Sequence, residues 1–460
     1  TYVAILIGGT VVLARRHDWA LLHVVSYAFT LMTVAGWADR FYTPSKYLVT
    51  ELFLTGYCAA FLVILSRLRQ STAAQGQLAA MFLWTAPVAY YLASLLVLEP
   101  HPKAMLVWFI AAMLAGGLLS MRVGARGGLP VWLAVTVPLL VWTRVHTGAS
   151  WLWPGLATVA GIYLIALAAQ MHNLLVREER DGRDIAWLHL NGLLMFAAAV
   201  FLLENTHLAL TGRLGAIFAL WHGVLAALLI ERRRDVALHF GALAFTLLSI
   251  AIALEFDGAA VTIGWACEGA AIVALGLRER KDWLRVGGVA LFAVAMFQAI
   301  GLLLTTAPAH HVVLLNPRAA AGIVVVALSY VLAWLHYRDD AAPDRDVAIG
   351  AALIVAQAVT LVLLTSEIYA YWAVREGRFA REVMISATWG IYAAVLVVIG
   401  LRKDYAPIRY FAIALLALTI VKVFFADMAG LDRIYRVSSV IGLGIVLLVT
   451  SYLYNRARRR

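Results

Sequence analysis

Glu268 and Lys422 are two of the ionisable residues that lie inside long apolar runs of the chain, where a charge is costly. Glu268 falls in the run 258–277 and Lys422 in the run 407–426. An ionised side chain in hydrocarbon needs a partner, a proton or water. The sequence is therefore compatible with a proton, cation or head-group site at Glu268, and equally with a neutral or hydrogen-bonded Glu that holds two helices together.

Lys422 leaves more alternatives open. It lies five residues before Asp427, about 7.5 Å along a helix, so its long stem can carry the ammonium group toward the membrane surface or to Asp427. The other interpretations are an ion pair with Glu268 and an anion site shared with Arg433 and Arg436. A pair with Glu268 requires adjacent helices and an inward-directed lysine, and sequence alone establishes neither condition.

The sequence contains few of the familiar catalytic or metal-binding motifs. Glu204 and His207 have the one-turn spacing of a carboxylate and histidine metal pair, but helical di-metal sites need a second such pair and further carboxylates. The chain has no P-loop, dinucleotide-binding glycine fingerprint, HExxH or Gly-x-Ser-x-Gly motif. We expect no metal and no cofactor, and we assign no catalytic residue.

The elements that must position these residues are membrane-spanning helices. The chain is 63% hydrophobic and only 14% charged, whereas soluble domains are nearer half apolar and a quarter charged. Its seventeen apolar runs are about 18 to 22 residues long, enough to cross a bilayer as helices. We therefore predict an all-α polytopic protein with about seventeen transmembrane helices, forming one continuous transmembrane domain over 1–460 with no soluble domain. The first run begins at Thr1 without Met, so we expect the chain to start inside a longer protein.

Basic residues concentrate on one side of the predicted bundle. Turns after odd-numbered runs and the C-terminal tail hold 25 of the 37 Lys and Arg residues. The positive-inside rule then places these turns and the C-terminus in the cytoplasm and Thr1 outside. The net charge of +11 is explained by topology, and we expect no nucleic-acid partner.

A hairpin sequence occurs twice. The segments 265–285 and 389–409, 124 positions apart, each read Trp, ten mostly apolar residues, Gly-Leu-Arg, six residues, Arg. Glu268 has no charged counterpart in the second copy, and Lys422 stands where the first copy has Gln298. We therefore predict a bundle built from repeated helical hairpins in the same orientation, and we add Gln298 to the candidate site.

Residues 257–457 resemble a bacterial membrane-protein family known as domain of unknown function 2339. The residues that carry the resemblance are Trp265-Ala-Cys-Glu268-Gly269, Gly276-Leu-Arg278, Asn316-Pro-Arg318, Trp389, Gly400-Leu-Arg402, the stretch 418–427 with Lys422 and Asp427, Arg436-Val-Ser-Ser, Gly442-Leu-Gly444 and Tyr452-Leu-Tyr454. The part before about residue 200 matches only in its hydrophobic character. The resemblance implies a multi-pass protein of the bacterial inner membrane and implies no reaction, substrate or cofactor.

Three functions are compatible with this sequence. The leading one is binding or translocating a small solute, ion or lipid through a polar intramembrane site formed by Glu268, Lys422, Asp427, Gln298, Arg433 and Arg436. The first alternative is a structural or scaffolding subunit of a larger complex, and the second is a membrane enzyme acting on envelope lipids or lipid-linked sugars. We expect contact with the lipid bilayer, together with a partner protein or further copies of the chain.

Overall fold

The computed structural model is predominantly helical, with no strand among the residues it describes. These are residues 2–17, 19–68, 73–176, 182–204, 206–305, 312–339, 344–373, 375, 377–423, 441–442, 444–445 and 448. Two compact units divide the chain, Thr1–Thr206 and His207–Arg460. The candidate residues Glu268, Gln298 and Lys422 all belong to the second unit.

The first unit contains nine α-helices within its described residues. Their bounds are α1 Tyr2–His17, α2 Leu22–Phe41, α3 Tyr47–Leu68, α4 Ala74–Leu83, α5 Ala86–Leu98, α6 Pro102–Val123, α7 Ala125–Val145, α8 Ala149–Val176 and α9 Gly182–Glu204. Its first four helices pack around a cluster that includes Ile7, Tyr27, Phe61 and Leu83. A break at Trp84 and Thr85 separates α4 from α5, which together correspond to one apolar run of the sequence.

The second unit contains eight α-helices within its described residues. Their bounds are α10 Thr211–Leu229, α11 Arg234–Glu255, α12 Ala259–Glu279, α13 Asp282–Leu304, α14 Pro317–Tyr337, α15 Arg345–Ala373, α16 Arg378–Arg402 and α17 Ala406–Lys422. The core of this unit includes Ala266, Val273, Ala299, Val325 and Val359. Residues from α12, α13, α14 and α15 therefore share one apolar core, and Glu268 lies on the first of these helices.

The all-α polytopic prediction is confirmed. Thirteen helical segments of the described chain are long and apolar enough to cross a membrane. Helices α1, α2 and α17 correspond to predicted runs but fall outside that set, and α1 is recorded as a shorter apolar helix over Tyr2–Ala14. The predicted run 437–454 lies largely outside the described residues, as do Asp427, Arg433 and Arg436.

The two hairpins noted in the sequence turn in the same way. Arg280 and Asp404, 124 positions apart, both adopt left-handed backbone conformations, with φ of 55° and 47°. In each turn the next residue donates its N–H to the carbonyl of the hairpin glycine, Gly276 or Gly400, at 3.0 Å. This bond satisfies a carbonyl that the helix end would leave free. Equivalent turn geometry supports the hairpin comparison, and the internal repeat itself stays a prediction.

Candidate functional site

Glu268 is buried at the middle of α12 and only half of its carboxylate has a partner. The residue is 5% exposed. Its Oε2 accepts a hydrogen bond of 2.6 Å from the hydroxyl of Ser249 on α11. Its Oε1 is buried and has no hydrogen-bond partner among the described residues. One acceptor oxygen is therefore left for a proton, an ion or a polar ligand.

Ser249 receives a second contact from the same helix. Trp265, three residues before Glu268 on α12, donates its indole N–H to the Ser249 carbonyl at 2.9 Å. Two side chains of α12 therefore hold one residue of α11, which fixes the rotation of Glu268 toward that helix. These two bonds join α12 to α11, and Oε1 takes no part in either of them.

A second contact of α12, at Gly269, is made by backbone. A Cβ on Gly269 would lie 2.8 Å from the Phe292 nitrogen and 2.9 Å from the Gly288 carbonyl oxygen, both on α13. Small residues allow helices to approach this closely in membranes. Gly269 therefore holds α12 against α13, while the adjacent Glu268 side chain meets α11.

Gln298 lies at a different level of the bundle. Its side-chain oxygen is buried without a hydrogen-bond partner among the described residues. Because α12 and α13 are antiparallel and Phe292 contacts Gly269, Gln298 lies about 9 Å further along α13, toward the start of α12 at Ala259. Glu268 and Gln298 are thus two separate buried acceptors.

Lys422 forms an ion pair with a residue that the sequence did not single out. Its Nζ lies 3.1 Å from Glu382 Oε2 and donates to the Ser386 hydroxyl at 3.0 Å. The side chains of Lys422 and Glu382 are 15% and 22% exposed. Arg381 also pairs with Glu382 at 3.0 Å, and its guanidinium lies over the Tyr369 ring. The charge of Lys422 is therefore compensated at the start of α16.

Glu382 was not among the candidate residues because we started from ionisable residues inside apolar runs, and Glu382 lies just before one. Helix α16 begins at Arg378, so Glu382 already belongs to the helix. The available signal was the spacing of Glu382 and Ser386, which lie one turn apart on the same helix face. Asp427, Arg433 and Arg436 cannot be placed in this cluster because they lie outside the described residues.

The second hairpin makes its helix contact with uncharged groups. Trp389, the counterpart of Trp265, donates to the Thr365 hydroxyl on α15 at 2.8 Å. Tyr392, at the position corresponding to Glu268, donates its hydroxyl to Gln357 Oε1 at 2.5 Å. Neutral side chains therefore complete the contact between α15 and α16 at this position of the second hairpin.

Two other carboxylates, Glu204 and Glu255, pair with arginines at helix ends. Glu204 lies 2.7 Å from Arg144, and Glu255 lies 3.7 Å from Arg213. In the part of the chain that the structure describes, no three His, Cys, Asp or Glu side chains form a group that could hold a metal ion.

A further carboxylate, Glu51 on α3, shares one feature with Glu268. Its Oε1 accepts from the Tyr90 hydroxyl and the Ser94 hydroxyl, each at 2.8 Å, while its Oε2 is buried without a partner among the described residues. Glu51 is the fifth residue of its helix, so it lies near a helix end. Glu268 is the half-satisfied carboxylate at mid-helix.

Comparison with known proteins places the chain in one family. It matches none of the curated proteins and none of the solved structures. Residues 1–308 and 284–457 match a family described as predicted membrane protein, DUF2339. The match includes the first half of the chain, which in our sequence comparison was similar only in hydrophobicity. The two matched segments span nearly all of the chain, which therefore belongs to the DUF2339 family of predicted membrane proteins.

Proposed function

We propose that this membrane protein binds a proton or a small cation at Glu268, as part of binding or translocating a small solute, ion or lipid. The observation that carries the proposal is the buried Oε1 of Glu268, which has no hydrogen-bond partner among the described residues.

The physical argument rests on the cost of an unsatisfied charge. Ser249 supplies one hydrogen bond to the carboxylate, and a buried ionised carboxylate with a free oxygen costs several kcal/mol in a low-dielectric setting. A proton neutralises the charge, and a bound cation or polar ligand compensates it. Each of these occupants restores the missing interaction at Oε1.

The second hairpin supports a functional role over a packing role. There, Tyr392 and Gln357 make the corresponding helix contact without any charge. Retaining a carboxylate at position 268 adds desolvation cost that packing does not require. A residue that carries this cost is a functional candidate in a membrane interior.

In this proposal Lys422 forms a polar contact that is separate from the site at Glu268. What supports its separation from Glu268 is the ion pair with Glu382 and the bond to Ser386. Within the proposed function this cluster holds the start of α16 against the end of α17, and Glu268 is the group that takes up the proton or cation.

We further propose the orientation and compartment. The basic turns and the C-terminus lie in the cytoplasm of a bacterium, and the helices cross its inner membrane. The concentration of 25 of the 37 Lys and Arg residues on one side supports this orientation.

Infrared difference spectroscopy tests the proton or cation site directly. The protein in lipid vesicles is cycled between neutral and alkaline pH, and separately between Na⁺-free and Na⁺-containing buffer. We expect a protonated-carboxyl band in the wild type that alkali or Na⁺ removes and that Glu268→Gln lacks.

Glu204→Gln is the matched control, because Glu204 is an ion-paired carboxylate at a helix end, and it should keep the band. The scaffold and enzyme alternatives, in which Glu268 only joins helices, predict no protonated-carboxyl band that responds to alkali or Na⁺ and depends on Glu268. That result in folded protein would refute the proposed site.

A further inference from the structure

A large cavity lies among the first helices of the first unit. Its volume is about 1080 Å³, and its walls come from α1, α3 and the beginnings of α2 and α4. Nine of its lining residues are Ala or Gly, so short side chains leave the space between the helices unfilled. The space is partly open, with Gly8, Ala59 and Val63 exposed along its walls, so lipid of a surrounding bilayer has direct access to it.

One end of the cavity is polar. His23, Arg67 and Gln75 line it there. His23 is the second residue of α2, Arg67 lies near the end of α3, and Gln75 is the second residue of α4. These positions share the membrane side that carries the basic turns. The rest of the wall is apolar, with Ile7, Val11 and further aliphatic or small side chains.

His23 is the buried polar group of this end. It is 7% exposed, and its Nδ1 is buried without a hydrogen-bond partner among the described residues. Arg67 lies at the same end and is exposed, so its charge is available to a ligand. A head group that accepts from Arg67 and bonds to the His23 imidazole would satisfy both.

The depth of the cavity matches one leaflet. Along α1 its lining extends from Ala14 to Ala4, and along α3 from Leu68 to Ala59. These stretches are about 14 to 15 Å long, which is half of the ~30 Å hydrocarbon core. A lipid acyl chain that enters at the polar end and extends to the apolar end of the cavity therefore reaches the bilayer centre.

We infer that this cavity is a binding site for one anionic phospholipid of the leaflet on the basic-turn side. The acyl chain occupies the space between α1 and α3, and the phosphate lies at Arg67 and His23. Charge complementarity selects the head group, because anionic lipids attract basic residues at the membrane surface. The site lies in the first unit and does not depend on the proposed role of Glu268.

Native mass spectrometry of the full chain tests this inference. The protein is released from vesicles of equal parts phosphatidylglycerol and phosphatidylcholine, and retained lipids are identified and counted. We expect one tightly held phosphatidylglycerol in the wild type. Arg67→Gln should lower the preference for phosphatidylglycerol over phosphatidylcholine roughly fivefold, the effect of one basic charge at a membrane surface, while a lipid is still retained.

A pair of adjacent glycines supplies the matched control. Added Cβ atoms on Gly8 and Gly9 would each meet no atom within 4 Å, but only Gly8 lines the cavity. Gly8→Phe fills the space and should reduce the retained lipid at least tenfold, whereas Gly9→Phe should retain it. Helicity and thermal unfolding of both variants confirm that they are folded.

Three results would overturn the inference. The first is equal lipid retention in folded Gly8→Phe and Gly9→Phe. The second is equal retention of the two lipids by the wild type, or an unchanged preference in Arg67→Gln. The third is a cavity occupied by another protein segment, seen as a crosslink from Gly8→Cys to protein in vesicles.

Discussion

Replacing Gly288 by alanine should force α12 and α13 apart. A Cβ on Gly288 would lie 2.7 Å from the Val273 nitrogen and 2.8 Å from the Gly269 carbonyl oxygen, both on α12. Gly287, the neighbouring residue, would meet no atom within 4 Å. The two glycines therefore separate the steric effect of a methyl group from its effect on helix propensity.

The magnitude follows from these distances. Ordinary van der Waals contact for a Cβ begins near 3.4 Å, and the atoms in the way are backbone atoms that cannot rotate aside. The shortest of these distances, 2.7 Å, falls 0.7 Å short of ordinary contact at 3.4 Å, so the helices must move apart, and overpacking of this kind costs about 1 to 3 kcal/mol. Gly287→Ala meets no such contact and should be neutral, or stabilising by up to about 1 kcal/mol.

Equilibrium unfolding by sodium dodecyl sulphate in mixed micelles measures both variants. The free energy of unfolding should fall for Gly288→Ala and stay level or rise for Gly287→Ala. If the two variants agree within about 0.5 kcal/mol, the close backbone contact between α12 and α13 does not exist as described.

Two further perturbations address charged contacts. Lys422→Met should lower the free energy of unfolding by about 1 to 3 kcal/mol because it leaves Glu382 without its lysine. Adding Glu382→Gln should cost less than the sum of the two single changes, and strict additivity in this double-mutant cycle would contradict the ion pair. At the turn between α14 and α15, burial raises the pKa of Asp344, but hydrogen bonds and charge from Arg285 outweigh it, so the pKa lies below 3.8. This carboxylate therefore stabilises the fold above pH 3.8 and loses that effect as pH falls through its lowered pKa. Unfolding measured against pH should show Asp344→Asn less stable than the wild type near neutral pH and converging with it in acid.

Hydropathy predicts most of the fold because the bilayer restricts the structures that can cross it to helices. Each spanning segment must satisfy its own backbone, so an apolar run of sufficient length becomes a helix whatever its neighbours are. The break between α4 and α5 shows the limit of this rule, since one run over 78–98 became two helices at Trp84 and Thr85. Pro87 lies in the first turn of α5 and lacks the N–H that a continuous helix would need, so this break did have a local signal in the sequence.

The candidate site was only partly predictable for a different reason. Burial of Glu268 followed from its position in a run, but Ser249 is one of many hydroxyl residues in the spans and nothing local marks it as the partner. Lys422 needed an acceptor, and the sequence offered Asp427 nearby in the chain. Helix packing brings Glu382 to it from 40 residues away. Partners across helices depend on rotation and tilt, which periodicity does not encode.

The Gly269 contact has a mechanical consequence for Glu268. At Gly269 the backbone of α12 packs directly against α13, so we expect a displacement of one of these helices to carry the other with it. Trp265 and Glu268 join α12 to α11 through two side-chain hydrogen bonds, and such bonds can be exchanged without breaking a helix. We therefore expect any sliding to occur between α11 and α12, where the Glu268 carboxylate lies.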